Sequence, residues 1–267
     1  MGKRQLRRHA ATNMRDLSTW QHRAAALLAA NDYAGAMRLC RRALKVAPPG
    51  SIERAEVLCN LGVAQMQAQQ FEEAYDTYTE AIAIAADDAD LYYNRAIAAR
   101  LTLRVGHSVR DMERAVALSA EEATAADWTA ELSRGYDLAQ AEIDLREPGF
   151  TLDQLVAQEA LFHQALTLAE AREWAAAEQV YRAALAISDR HPPAWGNLGI
   201  CLAMQRRYDE AEAALRAALG QDPSYELARR NLVALPDMRR HDDPQYVEYR
   251  RPFEGRTIPI SASVRRK

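Results

Sequence analysis

Two sets of residues recur in the same phase late in this 267-residue chain. Trp174, Ala177, Tyr181 and Ala184 stand 34 positions before Tyr208, Ala211, Leu215 and Ala218. Steps of three and four place each set on one face of a helix. A period of this length marks a chain built from stacked units. One such unit cannot bury its own apolar face, so at least three must pack in series.

The stretch from Ala194 to Pro223 shows the unit most clearly. It reads as two short amphipathic helices joined by a tight turn. Trp195, Leu198-Gly199, Tyr208, Ala211, Leu215, Ala218 and Pro223 occupy the signature positions of the tetratricopeptide repeat, which this stretch resembles. Gly199 and Ala211 are small enough for the helices to cross closely, and Tyr208 opens the second helix. Pro223 stops that helix because it has no N–H to donate. The resemblance implies an all-α, right-handed superhelical solenoid of about six tetratricopeptide helix-turn-helix repeats with a C-terminal capping helix.

Residues 1–16 read as a basic arm and 17–235 as the repeat domain. Repeat one spans 17–50, with Trp20, Ala24, Tyr33, Ala36, Cys40 and Ala43, and four extra residues from Ser51 to Arg54 follow it. Repeat two spans 55–88, with Leu61-Gly62, Phe71, Ala74, Tyr78 and Ala81. Repeat three, 89–122, has Tyr92, Ala96 and Ala115, while Val105 and Ser108 replace the usual aromatic and alanine. Residues 120–150 admit two readings. One is a single helix from Glu121 to Arg146; the other, preferred, is a degenerate fourth repeat that turns near Gly135, because Gly135-Tyr136-Asp137-Leu138-Ala139 resembles Arg207-Tyr208-Asp209-Glu210-Ala211. Thr151 is the expected N-cap of a helix over 152–171. Repeats five and six cover 158–191 and 192–223, the cap covers 224–235 with Pro236 closing it, and 236–267 reads as a basic extended tail.

Composition narrows the function. Residues 1–16 carry five basic and one acidic side chain, and residues 236–267 carry eight and five, whereas the whole chain has a net charge of −3. An acidic body with basic ends makes nucleic acid an unfavoured partner. Cys40, Cys59 and Cys201 are odd in number and widely spaced, which suits small buried side chains in a reducing compartment. With no membrane-length apolar run, the expectation is a cytoplasmic protein without a membrane partner. Motifs for hydrolysis, phosphate binding and dinucleotide binding are missing, and the six histidines lack metal-ligand spacing. The expectation is therefore no enzyme and no cofactor or metal.

Aligning the repeats brings out one further pattern. Asn60, Asn94 and Asn197 stand two residues before the small position of their first helices, with His22 and His163 in the equivalent places. In tetratricopeptide proteins that position usually faces a concave groove. The row is similar to the asparagine ladder of O-linked N-acetylglucosamine transferase, where side-chain amides hold the backbone of an extended peptide. An amide offers both a donor and an acceptor to a peptide group. The candidate groove residues are His22, Asn60, Tyr93, Asn94, Arg100, Phe162, His163 and Asn197, with Glu56, Cys59, Asp90 and Glu159 beside them. The same asparagines also suit ordinary surface positions or braces to a neighbouring repeat. Leu91-Tyr92-Tyr93-Asn94-Arg95 resembles co-chaperones that clamp a terminal carboxylate, but Cys59 and Val63 stand where that clamp needs lysine and asparagine. Acidic residues near the groove favour a basic or neutral ligand.

The leading expectation is a non-catalytic scaffold that binds an extended peptide segment of another protein. One alternative is a self-associating or autoinhibited adaptor, whose basic tail enters its own acidic groove or that of a second copy in a homo-oligomer. The other is a nucleic-acid-associated regulator using the basic termini.

Overall fold

The computed structural model describes residues 19, 20, 22–119 and 125–241, and these are all-α. Helix α1 covers 22–29, followed by α2 (Tyr33–Leu44), α3 (Ile52–Gln67), α4 (Phe71–Ile82), α5 (Ala89–Leu101) and α6 (Val105–Leu118). Then come α7 (Ala125–Asp144), α8 (Leu152–Glu170), α9 (Trp174–Ile187), α10 (Pro192–Met204), α11 (Tyr208–Gln221) and α12 (Glu226–His241). The chain divides into two compact units, residues 1–137 and 138–267, and the division falls within α7.

Five helical hairpins share one turn. In each, the first helix ends at a residue in the left-handed region: Asn31, Gln69, Leu103, Arg172 and Arg206, with φ between 58° and 64°. The next residue donates its N–H back across that turn, Asp32 to Leu27 O at 2.9 Å and Arg207 to Leu202 O at 3.0 Å, for example. This bond satisfies a carbonyl the helix end would otherwise leave unpaired. The second helices then open at Tyr33, Phe71, Val105, Trp174 and Tyr208, as the sequence phase predicts.

Small residues set how closely the helices approach. A Cβ on Gly62 would lie 2.5 Å from the Tyr78 ring, and one on Gly199 would lie 2.7 Å from Leu215 Cγ. Tyr78 and Leu215 are each 1% exposed, so neither can move aside without opening the core. In the first unit, Ala24, Ala36 and Cys40 pack with Val57 and Leu61, so the first hairpin is sealed against α3. In the second unit, Phe162, Tyr181, Leu198 and Leu202 form the core that Leu235 and Met238 close.

Two expectations are corrected. The turn near Gly135 is not formed: α7 is one 20-residue helix, and the left-handed turn that the period places near residue 137 is missing. Gly135 needs no special conformation there, since an added Cβ would find its nearest neighbour, Val109 Cγ2, at 3.4 Å. Residues 120–124 lie outside the described residues. The cap does not end at Leu235 but continues through Pro236 to His241. Ala228, Asn231, Leu235 and Met238 form one buried stripe, and its packing holds the helix together past the proline. The four residues that join repeat one to the next open α3, with Ser51 as its N-cap and the Ser51 hydroxyl accepting from Arg54 N at 3.2 Å. The expected N-cap at Thr151 is present as a capping box with Gln154.

Candidate peptide-binding site

In the first unit, α3 and α5 are the first helices of consecutive hairpins and carry Asn60 and Asn94. Both asparagines are half-buried. Asn60 lines a narrow crevice with Trp20, Ala24, Cys40 and Val57, and its Nδ2 donates to Glu56 O at 3.2 Å. That leaves its Oδ1 as an acceptor. The Asn94 amide is not engaged by any hydrogen bond among the described residues.

Carboxylates gather beside this pair. Burial, and after it the charges of Asp88, Asp90 and Glu56, push the Cys59 thiol up to about 12. The thiol is therefore neutral and unreactive at pH 7, and the three acids mark a negative local field. Asp88 is the N-cap of α5, accepting from Leu91 N at 3.3 Å. Glu56, Asp88 and Asp90 thus lie close to Cys59 in the first unit.

Tyr93 and Arg100 lie on the same helix but are already engaged. The Tyr93 ring stacks on Trp128 of α7, with centroids 4.8 Å apart. Arg100 Nη1 pairs with Glu131 Oε2, also on α7, at 3.1 Å. Burial raises the Glu131 pKa, but hydrogen bonds from Arg134 and Arg100 outweigh it and hold the carboxyl below its ordinary range. Helix α7 therefore covers the part of α5 that the sequence assigned to ligand. His22 is exposed on α1.

The second unit does not present its part of the row to solvent. Phe162 is 4% exposed and packs edge-on against His163 and Tyr181, at 5.5 and 5.8 Å, and against His191 at 4.9 Å. His163 and Glu159 are buried as well, and Asn197 is wholly enclosed. Neither amide atom of Asn197 has a hydrogen-bond partner. These are interior positions, so the assignment of Phe162, His163 and Asn197 to an open groove is corrected. The aromatic residues of α8 and α9 close that face themselves.

Four further residues take part, two of them marked by the repeat phase in the sequence. Trp128 falls 34 residues after Asn94, and Asn231 falls 34 residues after Asn197. Asn231 is 2% exposed on α12, so the asparagine phase enters the cap. Glu178 ties α9 to the turn between α10 and α11: it accepts from Arg182 Nε at 3.0 Å, Gln205 Nε2 at 2.9 Å and Arg207 Nη1 at 2.6 Å. Gly196 is a fourth, set by contact alone, since a Cβ there would lie 2.6 Å from the Tyr225 ring. Among the described residues no group of three metal-ligating side chains assembles, and no helix is long and apolar enough to cross a membrane.

Models of the tetratricopeptide repeat family match residues 55–88 and 168–235. These matches identify both segments as tetratricopeptide repeats, and the five hairpins with their shared turn repeat that unit along the described residues. One curated relative, protein O-mannosyl-transferase Tmtc1 of Drosophila melanogaster, is 41% identical over 70 residues. The match covers 26% of this chain and 8% of that protein, so the chain spans a small part of its relative's length. Among solved structures, YrrB, described as a TPR protein with an unusual peptide-binding site, is 18% identical, with a TM-score of 0.35 over 79% of this chain and 88% of that one. The TPR domain of P58(IPK) is 12% identical, with a TM-score of 0.41 over 91% of this chain and 62% of that one.

Proposed function

We propose that the protein is a non-catalytic interaction scaffold that holds an extended segment of another protein along α3 and α5 of its first unit. The observation that carries this reading is the pairing of Asn60 and Asn94. They stand 34 residues apart, in the same position of consecutive first helices, each with amide capacity left for a ligand. Two amides in register suit the repeating donors and acceptors of a peptide backbone. The carboxylates of Glu56, Asp88 and Asp90 favour a ligand with basic or neutral side chains. Tyr93 and Arg100 serve as the wall that α7 fixes at one end of the site.

The test is affinity capture from native lysate with the full chain and with N60A/N94A, read by mass spectrometry. The reading expects one or more proteins retained by the wild type and lost from the variant. Retention of the same proteins by a folded N60A/N94A variant would remove these amides from recognition.

A further inference from the structure

The first hairpin carries a second surface, unrelated to the asparagine pair. Between α1 and α2 lies a cleft of about 580 Å³, floored by Ala26, Leu27 and Leu39 and edged by Arg23, Arg38 and Arg42. All three guanidinium groups are exposed, and none has an ion-pair partner among the described residues. Asp32, also at the edge, is committed to its own helix: it caps α2 by accepting from Gly35 N at 2.8 Å.

Arg23 and Ala26 are the counterparts of Leu61 and Ala64 in the second hairpin. Leu61 and Ala64 are buried against Ala24, Ala36 and Cys40 of the hairpin before them. In the third hairpin the same position holds Arg95, which Asp111 neutralises through two bonds of 2.6 and 2.7 Å. Only in the first hairpin, among the described residues of these three, does the position present an unpaired cation beside an apolar floor.

We propose that this cleft docks an acidic amphipathic segment of a partner protein, with apolar side chains on Leu27 and Leu39 and carboxylates on Arg23, Arg38 and Arg42. Charge complementarity selects the occupant. Residues 1–48 carry ten basic and two acidic side chains, against a net charge of −3 for the chain. The chain's own termini are poor complements: residues 1–18 hold five basic side chains and one acidic, and residues 242–267 hold six and four. The apolar floor separates a peptide from nucleic acid, because a phosphate backbone gains nothing from leucine. Guanidinium groups at the rim pair with carboxylates in bidentate geometry.

The probe is a fluorescein-labelled 14-residue peptide with leucine along one helical face and glutamate at its edges, titrated into the full chain by fluorescence anisotropy. R38E/R42E is expected to weaken binding by at least about tenfold, as is replacing every glutamate of the peptide with glutamine. The milder R38Q/R42Q should fall between, and circular dichroism should show all variants folded, since both arginines are exposed. N60A/N94A should bind the probe as the wild type does, which separates this surface from the α3–α5 site. Three results would overturn the proposal. They are equal binding by wild type and R38E/R42E, displacement of the peptide by a single-stranded oligonucleotide that binds more tightly, or a dimer in sedimentation that R38E/R42E dissolves.

Discussion

The indole of Trp128 stacks on the ring of Tyr93, with planes 14° from parallel. Trp128 is 8% exposed and also packs with Ala96, Met112 and Ala115. A single helix in place of a fourth hairpin is thus held to the first unit by one large anchor, reinforced by the ion pair of Arg100 with Glu131. Trp128→Ala should lower stability by about 3–5 kcal/mol, the usual cost of removing a buried aromatic residue. Chemical denaturation of the full chain, following the first unit, checks it; a loss under about 1 kcal/mol would mean that α7 is held by other contacts.

The Asn197 amide is enclosed without a partner, which costs about 1–3 kcal/mol. Asn197→Leu removes both unpaired atoms and should raise the unfolding midpoint. A clear drop on denaturation would show that the amide has a stabilising partner.

The five left-handed turn residues are all non-glycine, and Gln69, with φ of 60°, is exposed and makes no side-chain hydrogen bond. Glycine relieves the strain of that conformation but is more flexible when unfolded. The strain term is the larger, so Gln69→Gly should stabilise by about 0.5–1 kcal/mol, whereas Gln69→Ala should change little. Thermal unfolding of the pair gives the comparison.

Acid should weaken the second unit through His191 and Glu178. Burial, followed by the charge of Arg146, pushes His191 down to about 3 from an ordinary value of 6.5. Its Nδ1 accepts from Ala194 N at 3.0 Å as the N-cap of α10, a role only the neutral ring can fill. Between pH 6.5 and 3 the unfolded chain takes up a proton that the folded chain refuses, so stability is present above that window and falls as pH is lowered through it. For Glu178, burial acts upward, but the hydrogen bonds from Arg207, Gln205 and Arg182 prevail and hold the carboxyl below its ordinary range. Its contribution also falls as pH is lowered. His191→Asn keeps a capping side chain without the titration, so its stability should vary less between pH 6.5 and 4 than that of the wild type. Parallel curves would exclude His191 as a source.

Gln158 holds a buried network in the second unit. Its Oε1 accepts from Arg146 Nε at 3.0 Å, and its Nε2 donates to Ala184 O and Ser188 O at 3.0 and 2.7 Å. Gln158→Leu removes the partner of Arg146 Nε and of two carbonyls in the interior, while Arg146 keeps its ion pair with Glu142 at 4.0 Å. A loss of about 2–4 kcal/mol is expected on urea unfolding, and a neutral result would mean the network relaxes onto water.

Where the period was intact, the sequence could be read to the residue. Tyr33, Phe71, Trp174 and Tyr208 each open a helix because the apolar stripe behind them must face the preceding helix. The reading broke at Gly135, where a pentapeptide resembling a hairpin start lies inside a helix. Local resemblance could not register that Trp128 and Leu132 on α7 already pack against Tyr92, Tyr93 and Met112. Pro236 misled for a similar reason, since the tertiary packing of Met238 outweighs the one hydrogen bond the proline forgoes. For the site, phase alone placed Asn60, Asn94 and Asn197 together, but burial separates them. Exposure depends on what covers a residue, and the aromatic packing of Phe162 and the reach of α7 come from contacts distant in sequence.

The most direct measurement is site-specific photocrosslinking to proteins in native lysate. A benzophenone amino acid would replace Glu56, exposed one turn before Asn60 on α3, in one variant and Ala83, an exposed residue just past the end of α4, in another, so that both amides stay in place. Recognition along α3 and α5 predicts a discrete crosslinked adduct from position 56 that is missing from position 83 and is competed by unlabelled wild-type protein. Equal crosslinking from both positions, or none from position 56 while the same partner is still captured, would contradict it.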